Sequence, residues 1–143
     1  MRTLLIAACL LAAPLAAPLA AAQERTPSPA GAEVYIISPK DGAKVHNPVL
    51  VQFGLKGMGI APAGVKFDNT GHHHLLIDSE APADMSAPLP KTDKILHFGK
   101  GETETSLTLT PGKHTLQLLL GDMNHVPHSP PVISKQITIT VLR

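Results

Sequence analysis

Six of the eight histidines in this chain fall into groups with usable spacing: His72, His73 and His74 are consecutive, His97 follows alone, and His125 and His128 stand three apart just after Asp122. Neutral imidazole is a good donor to borderline transition metals, so convergence of these rings would be metal-coordination chemistry. If residues 72–74 are extended, successive side chains point to opposite faces. His72 and His74 then share one face, while His73 sides with Leu75 and Ile77 and reads first as a core-edge ring. His72 and His74 chelate one ion from that face, His125 and His128 complete a set of three or four nitrogens, and His73, His97 and Asp122 are further candidates. Imidazoles with at most one carboxylate and no thiolate favour Cu(II), Zn(II) or Ni(II), with Cu(II) the tightest. Cu(I) is disfavoured because Met58, Met85 and Met123 are scattered. The expected cofactor is one divalent transition metal ion, copper ahead of zinc. Since the rings bind only when neutral, affinity is expected to fall below about pH 6.5.

Two histidine groups so far apart in sequence meet only if the fold brings them together. Alternating apolar residues at 49–55, 106–110, 114–120 and 136–141, with apolar runs at 34–37, 72–78 and 95–98, predict about seven short strands separated by Pro, Gly and Asp turn signals. No helical period of useful length interrupts them. The expected fold class is all-β, an antiparallel immunoglobulin-like β-sandwich. In such a sandwich the third strand lies antiparallel beside the sixth, so the start of one and the end of the other share an end of the molecule. That end gathers the loops 57–71 and 121–131, and His97 approaches it from the fourth strand. His46 and His114 belong to the opposite end and are left out of the site.

The first 22 residues read differently. A short basic start at Met1-Arg2-Thr3 precedes an apolar run broken by Pro14 and Pro18 and ending in Ala20-Ala21-Ala22, which predicts a signal peptide cleaved after Ala22. Removing 22 residues from 143 leaves 121, enough for one domain at 33–143 behind a flexible leader at 23–32. The lone Cys9 leaves with the signal, so thiol chemistry and disulfides drop out. An exported, periplasmic chain is expected, free of the membrane after cleavage and monomeric. Without Arg2 the chain carries 11 basic and 11 acidic side chains, and it has only four aromatic residues. That balance excludes a nucleic-acid partner. Neither G-x-S-x-G, H-E-x-x-H nor a glycine-rich phosphate loop is present, so no motif supports an enzyme.

The stretches GHHHLLID (71–78) and PGKHTLQLLLGDMNHVPHSPP (111–131) resemble a family of small exported bacterial proteins built on one domain of unknown function, over roughly residues 36–141. The resemblance implies a periplasmic β-sandwich and places His72, His73, His74, Asp78, His97, Asp122, His125 and His128 in the shared motifs. It implies no activity. Two functions are therefore expected in order: metal storage, delivery or buffering through the histidine cluster, and, as the alternative, an immunoglobulin-like module whose loops contact an envelope protein or polysaccharide without metal.

Overall fold

The computed structural model describes residues 24–143, so the expected signal peptide and its cleavage point lie outside the described residues. The described residues form nine strands and no helix: β1 (Glu33–Ser38), β2 (Lys44–Val45), β3 (Val49–Lys56), β4 (Gly59–Ile60), β5 (Thr70–Ile77), β6 (Ile95–His97), β7 (Glu104–Leu107), β8 (Gly112–Gly121) and β9 (Ile137–Val141). Two open sheets face each other, one ordered β1-β3-β7 and the other β2-β9-β8-β5-β4, with β6 also on β5. This is an all-β sandwich. The seven expected strands are all there, and the two further strands are two-residue edge pieces, β2 parallel to β9 and β4 parallel to β5. The fifth expected strand, placed at 106–110, ends early at Leu107. The Asn47 side chain holds the Leu109 backbone in both directions, donating to its carbonyl (2.7 Å) and accepting from its N–H (3.0 Å), which closes the ladder.

The core follows from pleat alternation. Leu75 and Ile77 of β5 and Leu116, Leu118 and Leu120 of β8 point between the sheets, where they meet Val51 and Phe53 of β3, Val34 of β1 and Ile139 of β9. The odd feature is the other face of β5. Open sandwiches commonly leave outer faces to solvent, yet seven of the eight β5 residues are buried. Leu76 and Leu119 form a second, smaller cluster there with Leu89 and Ile95, and Ala81, Met85 and Ile133 from the covering loops pack on it. The long connection 78–94 and the segment after β8 thus roof the outer face.

The segment expected as a flexible leader is tied down over its described part. Ser28 N–H donates to the Ser129 carbonyl (3.1 Å) and Ser129 N–H donates to the Thr26 carbonyl (2.9 Å). Arg25 donates from Nε to the Pro127 carbonyl (3.0 Å) and from its terminal nitrogen to the His128 carbonyl. Two prolines without apolar periodicity suggest mobility in isolation, but they also favour an extended chain whose N–H and C=O groups are free to pair.

Leu118→Ala, which empties a fully buried position, is expected to cost about 2–5 kcal/mol of stability in urea unfolding. Leu50→Ala, on a side chain 45% exposed, should cost well under about 1 kcal/mol in the same measurement.

Candidate metal centre

The β5, β8 and β6 ladders decide which histidines meet. His72 pairs with Gly121 and His74 with Leu119 across to β8, and His74 pairs with His97 across to β6. Directly paired residues project to the same face, so His72, His74 and His97 all stand on the roofed outer face. The fourth ring comes from the roof. After β8 the chain reverses through a turn in which Asp122 N–H donates to the Val126 carbonyl (2.9 Å) and His125 N–H to the Asp122 carbonyl (2.9 Å). His125 takes the left-handed backbone conformation (φ 69°), which histidine tolerates better than bulkier residues. Its ring thereby folds back over the sheet.

The four rings form one packed group. Ring centroids are 4.9 Å apart for His72 and His74, 5.0 Å for His72 and His97, 5.2 Å for His74 and His97, and 4.6 Å for His97 and His125. His125 lies 5.1 Å from His72 and 6.1 Å from His74. One ring nitrogen from each of His72, His74 and His97 lies within 4.8 Å of the others. Nitrogens around a tetrahedral ion stand roughly 3.3 Å apart at bonds near 2.0–2.1 Å, so small rotations of three side chains close the set. His72 and His74 are 0% and 1% exposed, while His97 and His125 are half-buried.

Glycines make the room. A Cβ at position 121 would lie 2.7 Å from His74 Cε1 and 3.3 Å from the His125 Cα, and one at position 99 would lie 2.2 Å from His97 Cε1. Real side chains do not approach that closely, so Gly99 and Gly121 are the sockets into which His97 and His74 fit.

Both nitrogens of His72, Nδ1 of His74 and Nε2 of His97 are buried with no hydrogen-bond partner among the described residues. Each such atom costs about 1–3 kcal/mol if left unsatisfied. Burial lowers the His72 pKa from 6.5 to about 4 and that of His74 to about 3, and the neighbouring imidazoles push in the same direction. Burial, reinforced by His125, lowers that of His97 as well. Sheet-borne rings at this site are thus neutral at pH 7, with lone pairs free to donate.

Three candidates from the sequence stand elsewhere. His73 points between the sheets, its ring 5.0 Å from that of Phe53, where burial lowers its pKa to about 4. His128 is fully buried but directed to the start of β5: its Nε2 bonds the Thr70 carbonyl (3.1 Å), and its ring fills the space above Gly71. The turn separates it from His125: Pro127 bridges back to Gly121, and the residue that follows lies over the start of β5. Asp122 spends its carboxylate on the loop, Oδ1 accepting from Asn124 N–H (2.8 Å) and Val126 N–H (3.0 Å) and Oδ2 from the Thr26 hydroxyl (2.6 Å). It stays close enough to His72 to oppose the lowering of that ring's pKa. His97 takes the place expected of His128, and the cross-strand pairing that puts it there depends on β6 choosing β5 as its neighbour.

His114, excluded at the start, lies apart from the cluster. Burial alone would lower its pKa, but Asp78 (Nδ1 to Oδ2, 2.7 Å) and the Thr110 carbonyl (Nε2, 2.8 Å) outweigh it and raise the value.

The lowered histidine pKa values set a sign for stability against pH. The unfolded chain takes up protons near pH 6.5 while folded His72, His73 and His74 do not until about pH 4 or below, so stability is full above that window and falls as pH drops from about 6.5 to about 4. Urea unfolding of the metal-free chain at pH 7 and 4.5 should differ by roughly 2 kcal/mol for each of these rings, and His74→Leu should remove its share. Gly121→Ala should leave the chain folded while shifting the His74 and His125 ring signals in NMR spectra.

Nothing among curated proteins or solved structures matches the chain. The profile of a family described as a domain of unknown function, DUF4399, matches residues 51–142, which spans β4 to β9 and almost all of β3 and carries all four clustered histidines. The chain belongs to the DUF4399 family.

Proposed function

We propose that this is an exported, periplasmic protein that binds one divalent transition metal ion, copper ahead of zinc, on His72, His74 and His97 with His125 as the fourth donor, in storage, delivery or buffering of the metal. The observation that carries this reading is that His72, His74 and His97 each bring a ring nitrogen within 4.8 Å of the others, and each also has a buried ring nitrogen without a hydrogen-bond partner among the described residues. A folded protein rarely leaves several polar atoms unsatisfied in one place, and an ion bound there would satisfy them together. The donors are all nitrogen, which suits copper or zinc and offers little to magnesium or calcium. Export is read from the first 22 residues.

A second reading has its own support at the same end of the sandwich. Phe67 is 72% and Val65 47% exposed, and with Pro62, Lys66 and Met123 they border a cleft of about 250 Å³. Exposed aromatic and aliphatic residues beside a cleft are what an interaction module offers an envelope partner.

Titration of the chain with Cu(II) and with Zn(II), with bound metal measured by mass spectrometry, is expected to give one ion per chain with a submicromolar Kd. His72→Ala/His97→Ala should weaken it by at least about 100-fold, while His128→Ala should leave it within a few-fold. A wild-type chain that takes up neither ion would leave the interaction module as the reading. The fall in affinity expected below about pH 6.5 is softened at His72 and His74, whose burial lets protons compete with metal only near pH 4 and below. Affinity should therefore fall less steeply below about pH 6.5 than it would for a site of exposed imidazoles, with a further loss near pH 4.

A further inference from the structure

We propose that residues 24–29 are a strap that holds the His125 turn against the sheet and thereby sets how slowly a bound metal leaves; the inference rests on the metal reading above. Three of the four rings are fixed by strand pairing, and only His125 rides on a loop. Its nitrogens are outside the group of three that already lies within 4.8 Å, so this ring must adjust to join an ion and is the first free to withdraw.

The position of that ring depends on the turn, and the turn is organised by Asp122. One carboxylate oxygen takes the N–H groups of Asn124 and Val126. The other takes the Thr26 hydroxyl at 2.6 Å, the one side chain from outside the turn that bonds Asp122 among the described residues. Arg25 holds the carbonyls of Pro127 and His128, and the paired backbones of Thr26, Ser28 and Ser129 continue the clamp. Two other contacts act on the turn: Gly64 N–H donates to the Met123 carbonyl (2.9 Å) and Leu89 N–H to the His125 carbonyl (2.8 Å). Those keep the turn folded when the strap is lifted. What the strap adds is restraint on the Asp122 carboxylate beside His72 and on the outgoing limb of the loop. Thr26 and Arg25 are positioning residues: they touch no ring of the cluster and act through the loop that carries one. Outer contacts of this kind change metal affinity by about 10–100-fold in metal sites generally.

The test uses the full chain loaded with one Zn(II) and mixed with a chromophoric chelator in excess, comparing the wild type with Arg25→Ala/Thr26→Ala, Thr26→Ser and His125→Ala. The double variant is expected to bind one ion and release it at least about 10-fold faster, Thr26→Ser to release at the wild-type rate, and the strap substitutions to have no effect in a His125→Ala background. Hydrogen exchange should show faster exchange at the Asn124 and Val126 amides of the double variant with β5 and β8 unchanged, which separates a loosened turn from a damaged fold. Release at the wild-type rate from the double variant overturns the strap and leaves the metal reading standing. A wild-type chain that binds no ion overturns both.

Discussion

The pairing of β5 with β8 is the constraint from which the rest of the molecule follows. Six consecutive partners, from His72↔Gly121 to Ile77↔Leu116, lock the two strands in one register. With a side-chain period of two, that single register sends His73, Leu75 and Ile77 toward the other sheet and His72, His74 and Leu76 outward. A slip by one residue would exchange the faces, putting His72 and His74 among the core leucines and Leu75 on the outside. The register is held by the apolar energy of the core, so the geometry of the site is fixed by residues that take no part in it.

Placing neutral imidazoles on a roofed face carries a stability cost. Leucine at these positions would bury area without orphaned nitrogens. The chain instead keeps rings whose burial lowers their pKa values to about 4 at His72 and about 3 at His74. Burial of this kind keeps protons from occupying the lone pairs at the pH where a metal would need them. The small apolar cluster of Leu76, Leu89, Ile95 and Leu119 beside the rings offsets part of the cost by anchoring the roof. Gly121, the last residue of β8, weakens the local strand preference for the same end, and Gly99 serves it from the turn after β6, since an absent Cβ leaves space for the rings.

The roof itself is assembled from pieces with little structure of their own. The 78–94 connection, the segment after β8 and residues 24–32 contain none of the nine strands, yet backbone groups in each pair with another segment: Leu89 N–H with the His125 carbonyl, Ser134 N–H with the Leu118 carbonyl and Ser28 N–H with the Ser129 carbonyl. Asp122 is the clearest case: one carboxylate closes the turn within itself and receives a hydroxyl from a residue 96 positions earlier. Buried loops are stable only when their polar groups find such partners.

Much of this was legible in the linear chain because it rests on short-range rules. Alternation at 49–55, 114–120 and 136–141 identifies half-buried strands and hence the sandwich, and the period of two in His72-His73-His74 assigns the rings to opposite faces before any partner is known. Membership of a family with one domain of unknown function was legible for the same reason, being carried by residue identity alone. Which histidines meet was a different kind of question. His97 joins and His128 does not because β6 pairs with β5 and because the chain reverses at Asp122, and neither choice is written in local periodicity. Likewise the prolines at 27 and 29 suggest a loose leader, while the bonds from Arg25 and Thr26 to residues about a hundred positions away turn it into a fixed part of the roof. Composition and period determine what each segment is able to form; the contacts between distant segments depend on the simultaneous satisfaction of every buried polar group, which only the assembled tertiary structure decides.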